Sequence, residues 1–67
     1  MDNKLFYYRK IKGMRQFDLA EIVGLKEQTI STYETGRARP SKEIALKIAT
    51  VLKVNVNEIF PELNRKE

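Results

Sequence analysis

The stretch from Gln16 to Tyr33, QFDLAEIVGLKEQTISTY, does most to limit what this chain can fold into. Gly24 divides it, and a small residue, Ala20, stands four positions earlier. Apolar side chains fall at Leu19, Val23, Leu25, Ile30 and Tyr33. That spacing predicts two short helices packed at a steep angle through a tight turn. One of the two is left partly exposed, as a helix that lies in a DNA groove must be.

The flanking residues read as the scaffold that holds this pair. Asp2 or Asn3 can cap a first helix that runs to about Lys12 and stops at Gly13. Leu5, Tyr8 and the stem of Arg9 share its inner face. Phe6, Tyr7 and Ile11 exceed what one stripe needs, so the helix is either buried on two sides or offers rings to a partner. Helix two covers about Gln16 to Val23, with Leu25 plugging the turn, and helix three about Glu27 to Thr35. Ile30, Tyr33 and Glu34 are expected inside; Glu27, Gln28, Ser31 and Thr32 outside. Gly36 and Pro40 bracket a loop, and Ser41 caps helix four with Glu43 in its first turn. Ile44, Ile48, Val51 and Leu52 make its core stripe, with Ala45 and Ala49 beside it. Asn55 and Glu58 resemble a capping box for a short fifth helix that Pro61 closes. The fold expected is all-α: one domain over residues 1–67, a compact bundle of about five short helices, with its core over about 4–60 and a polar tail over 61–67.

A chain of 67 residues with no cysteine and no histidine must be stabilised by helix packing. The same absences remove thiolate and imidazole metal sites and leave no general base for the two serines, Ser31 and Ser41. No phosphate-cradling glycine loop is present. The chain is therefore not expected to be an enzyme, and no cofactor or metal is expected. Basic residues outnumber acidic ones 13 to 9, for a net charge of +4. That excess suits a polyanionic partner and equally suits ordinary solubility. With no apolar run long enough to span a bilayer and no secretion signal, a cytoplasmic protein is expected.

Gln16, Leu19-Ala20-Glu21, Gly24, Thr29-Ile30-Ser31, Glu34, Gly36, Pro40, Ala49 and Asn57-Glu58-Ile59-Phe60 stand in order without gaps. Together they resemble the phage repressor/Cro-type helix-turn-helix family, the xenobiotic-response-element (XRE) group. The resemblance covers about residues 4 to 60. It implies a lambda-repressor-like DNA-binding domain that binds operator DNA as a dimer, helix two across the backbone and helix three in the major groove. It also implies that Gln16 donates to a phosphate and helps orient the reading helix. By the same resemblance, Arg9 and Glu34 form a partly buried structural ion pair. Two departures stand out. Lys26 occupies a position where the family often has Ser or Thr, and Met14-Arg15 replaces the commoner Leu-Thr.

Within that frame Gln28 is the strongest base reader, since a glutamine pairs bidentately with adenine N6 and N7. Thr29 and Thr32 offer methyls to thymine and hydroxyls to bases or phosphates. Glu27 can accept from cytosine N4 or simply favour the helix start. Ser31 is expected on backbone or phosphate. Arg15, Lys26, Arg37, Arg39 and Lys42 are expected to form a phosphate-binding rim with Gln16. Val54, Val56, Ile59, Phe60 and Leu63 offer an apolar seam for a homodimer.

The function expected is sequence-specific transcriptional regulation, as a repressor on a palindromic operator read by residues 27–35. An antitoxin or other protein-binding module with secondary DNA autoregulation is the alternative, its toxin meeting Phe6 and Tyr7. A controller that both activates and represses is a third, with Glu21 touching RNA polymerase.

Overall fold

A computed structural model describes residues 3–61. Those residues form five helices and no strand: α1 (Leu5–Ile11), α2 (Gln16–Val23), α3 (Glu27–Glu34), α4 (Lys42–Leu52) and α5 (Val56–Ile59). Leu63 and the expected polar tail beyond Pro61 lie outside them, as does Asp2. Asn3 serves the start of α1 instead: its Oδ1 accepts from Leu5 N–H at 3.0 Å and its Nδ2 donates to the Tyr33 carbonyl at 2.9 Å.

The core gathers one or more side chains from every helix. Leu5, Leu19, Ile30, Ile48, Leu52, Ile59 and Phe60 are fully buried, and Ala20, Ala45 and Ala49 fill the close approaches between them. On α4 the alanines lie deeper than the sequence pattern suggests, while Ile44 and Val51 pack at the edge of the cluster. The α2 helix packs on both α3 and α4, and α1 packs on α3. Lys4 N–H donates to the Ile59 carbonyl at 2.8 Å, which ties the start of the chain to its last helix.

Each of the first four helices ends in the same way. After α2, Leu25 N–H donates to the Ala20 carbonyl at 2.8 Å, and Gly24 N–H turns to Glu21. Gly24 has φ 77°, and Leu25 drops onto the core. This is the Schellman closure, in which a left-handed residue lets two amides reach back for carbonyls the helix has left free. The same pair of bonds recurs at Gly13–Met14, Gly36–Arg37 and Lys53–Val54. At α4 the left-handed residue is Lys53, φ 61°, where a side chain meets steric strain that glycine avoids.

Two expectations fail here. Ile59 and Phe60 do not offer a seam to a second copy, because both have zero exposure within the single chain. Burying rings and branched chains of this size stabilises a fold by about 1.5–3 kcal/mol each, and so small a core takes them. Asn55, expected to close a capping box with Glu58, makes no side-chain capping bond. Glu58 N–H donates instead to the Asn55 carbonyl at 2.9 Å, and α5 is a single turn.

Candidate nucleic-acid interface

The α3 helix has two differently committed sides. Ile30 is fully buried and Glu34 is 5% exposed. Glu27 and Gln28 are exposed, and Thr29, Ser31 and Thr32 are half-buried. Gln28 and Thr32 are one turn apart and so share a side. The Thr32 hydroxyl donates to the Gln28 carbonyl at 2.9 Å. That bond uses the hydroxyl proton and leaves the methyl and an oxygen lone pair for an outside partner. Lys26 precedes the helix in extended conformation, and no side chain caps it.

The inner side of α3 is anchored by a buried ion pair. Arg9 of α1 grips Glu34 through two guanidinium nitrogens: Nε donates to Oε2, and NH2 donates to Oε1 at 3.1 Å. Arg9 NH1 also donates to the Met14 carbonyl at 2.7 Å, and Gln16 Nε2 donates to Glu34 Oε1 at 2.9 Å. One carboxylate thus joins α1, the loop after it, the first residue of α2 and the end of α3. One of the two Gln16 amide hydrogens is therefore engaged, and the second is left for the phosphate donation that the resemblance implies.

Gln16 also lines a recess of about 380 Å³ with Arg9, Lys10, Gly13, Met14, Arg15 and Glu27. The recess lies where the starts of α2 and α3 meet the end of α1. Of the expected rim, Arg15 and Gln16 reach it, together with Glu27. Lys26, Arg37, Arg39 and Lys42 do not line it. All four are exposed: Lys26 before α3, Arg37 and Arg39 in the loop after it, and Lys42 at the first position of α4. Arg37 is fixed by its N–H donating to the Thr32 carbonyl at 3.1 Å. Buried Pro40 anchors the loop, and Ser41 Oγ then accepts from Ile44 N–H at 3.2 Å to cap α4.

Arg15 is not a free cation. Asp18, three residues on, takes its guanidinium in a fork, Nε to Oδ2 and NH2 to Oδ1, both at 3.0 Å. Asp18 Oδ2 also accepts the Arg15 backbone N–H at 2.9 Å, which closes one half of a capping box at the start of α2. The guanidinium has no acceptor to close the other half. The hydrogen bonds from Arg15 hold the Asp18 carboxyl below its ordinary range, and the same bonds, with Asp18's charge, raise Arg15 above its own. Asp18 is the residue that reading the sequence for cations missed. An acid three positions into a helix start was the available signal.

Comparison with known proteins adds a second line of support. A helix-turn-helix family model matches residues 5–59. The chain is 43% identical over 60 residues to an HTH-type transcriptional regulator of Methanocaldococcus jannaschii, covering 90% of this chain and 91% of that one. It is 43% identical over 54 residues to one from Methanothermobacter thermautotrophicus, covering 79% and 78%. A Bacillus subtilis regulator of the same description is 35% identical over 60 residues, covering 90% and 91%.

Proposed function

Since this chain belongs to the helix-turn-helix family of XRE-type transcriptional regulators, we propose that it is a repressor that binds a palindromic operator as a homodimer. The observation that carries this reading is the division of α3. Ile30 and Glu34 fix the helix from inside, while Glu27 and Gln28 stand exposed at its first turn, where side chains of a reading helix reach base edges. Gln28 pairs with adenine, Thr29 and Thr32 present methyls to thymine, and Glu27 either accepts from cytosine or supports the helix start. Ser31 serves backbone or phosphate. Lys26, Arg37, Arg39 and Lys42 supply phosphate contacts that set the register without reading sequence. Half-sites lie about 34 Å apart, one turn of DNA. Among the seam residues expected from sequence, Val54 and Val56 keep part of their surface and remain candidates for the contact between copies.

Selection of binding sites from a random DNA pool, followed by footprinting, tests this reading. A protected sequence with two-fold symmetry and two half-sites is expected. Binding that protects no symmetric sequence overturns it.

One observation favours a second reading, a protein-binding module with DNA autoregulation. Phe6, Tyr7 and Ile11 on α1 are 49%, 58% and 58% exposed. Co-purification of a stoichiometric protein partner from the native host, lost when Tyr7 and Ile11 become serine, would support it.

A further inference from the structure

We propose that Asp18 withholds Arg15 from DNA, which makes Asp18 a residue that lowers non-specific affinity without touching a base. The inference rests on the DNA-binding reading above and narrows it, because it moves Arg15 out of the phosphate rim.

Three observations carry it. First, the grip is complete on one edge of the guanidinium. Asp18 takes Nε and NH2 of Arg15 at 3.0 Å each, and the backbone amide of the same residue at 2.9 Å. Fork geometry of this kind is the same geometry by which an arginine holds a phosphate. The carboxylate therefore occupies the role a DNA backbone oxygen would take. The pair is open to solvent on the arginine side, with the Arg15 side chain 78% exposed. Nothing but Asp18 stands between this cation and an arriving phosphate.

Second, the surroundings add no net positive charge. Arg9, which lines the adjoining recess, is spent on Glu34. Glu27 lines the same recess, and its charge acts on Arg15 in the same sense as Asp18's. Arg9 and Arg15 are paired with Glu34 and Asp18, and Lys10 and Glu27 line the same recess without an ion pair between them, so the charges around the meeting point of α1, α2 and α3 number three of each sign. A phosphate that reaches the remaining NH1 edge of Arg15 approaches a group whose charge is already matched.

Third, the exposed cations elsewhere are differently placed. Lys26, Arg37, Arg39 and Lys42 appear in neither of the ion pairs among the described residues. They are the cations that release counterions when DNA binds. Each phosphate neutralised steepens the dependence of log affinity on log salt by about 0.9. Arg15 contributes none of that slope while Asp18 holds it. Non-specific affinity is lowered, base contacts are untouched, and the ratio of specific to non-specific binding rises.

The test is a salt titration of binding to a short mixed-sequence DNA duplex, with the wild type, Arg15→Gln, Asp18→Asn and the double variant. Asn keeps an acceptor for the Arg15 amide and so preserves the helix start while it removes the charged fork. Asp18→Asn is expected to bind several-fold more tightly, with a slope steeper by about 0.9. Arg15→Gln is expected to leave the slope unchanged when Asp18 is present and to abolish the increment when Asn replaces it. An Arg15→Gln change that lowers the slope equally in both backgrounds, or in neither, overturns the inference. Failure of the wild type to bind the duplex at low salt defeats the DNA reading itself, and this inference with it. A readout without variants is the Arg15 Nε–H resonance in the wild type. It is expected to stay in place as duplex is added, and transfer to a new partner overturns the proposal.

Discussion

Gln16 and Glu34 meet through one hydrogen bond of 2.9 Å, from an amide at the start of α2 to a carboxylate at the end of α3. The carboxylate oxygen that accepts it, Oε1, also receives Arg9 NH2. The first residue of α2 and the last residue of α3 are thereby referenced to one buried charge.

Arg9→Met is expected to destabilise the chain by about 3–5 kcal/mol, because it strands Glu34 in the interior. Urea unfolding measures this. Loss of DNA binding in this variant should follow the unfolded fraction, and low temperature or an added stabilising osmolyte should restore it. A phosphate contact at Arg9 would not be restored in that way.

Gln28→Ala is expected to cost about 1–3 kcal/mol at one base position while non-specific affinity stays unchanged. Competition with operator variants substituted base by base reads the difference. A uniform loss across all positions would instead mark Gln28 as a backbone contact.

Phe60→Ala is expected to lower stability by about 3–5 kcal/mol, the cost of a cavity where a fully buried ring stood. The loss should not depend on protein concentration. A concentration-dependent loss would return Phe60 to the seam between copies.

Lys53→Gly is expected to raise stability by about 0.5–1 kcal/mol, by relieving the left-handed strain at φ 61°. A thermal melt should shift upward by about 3–6 °C for a domain of this size. A fall in melting temperature would show that the lysine stem contributes more than its backbone costs.

Asp18 makes stability depend on pH in a defined sense. Its carboxyl is held below the ordinary value by Arg15, so the stabilisation is fully present above the unfolded carboxylate pKa. It is lost as pH falls through the depressed folded value. Urea midpoints measured down that acid range should fall less steeply for Asp18→Asn than for the wild type. Equal slopes would remove Asp18 from the acid response.

Much of the fold was legible because its punctuation is local. Gly13, Gly24 and Gly36 mark three helix ends by backbone chemistry alone, and Ser41 announces α4 by the bond it makes three residues on. The fourth helix end was not legible in this way, since a lysine at Lys53 gives no sign that packing will force it left-handed. Ile59 and Phe60 were apolar in the sequence and could serve either a core or a partner. Only the three-dimensional arrangement shows that α5 turns both inward. At the candidate site, residue types pointed to Gln28 and the cations. In the network around Glu34 the Arg9 partner, 25 positions away, was expected through the family resemblance alone, and the Gln16 contact to the same carboxylate was not expected, since no local pattern encodes it. Asp18 was within reach of local reasoning, but a count of positive residues does not ask which of them is already answered.

The two-sided commitment of α3 has an evolutionary consequence. Changes at positions 27 and 28 meet solvent, whereas a change at 9, 30 or 34 strikes the interior. On the proposed base reading by Glu27 and Gln28, a lineage can therefore drift from one recognition sequence to another by single substitutions that leave the architecture intact. On that reading, what such a frame recognises can change far sooner than how it is built.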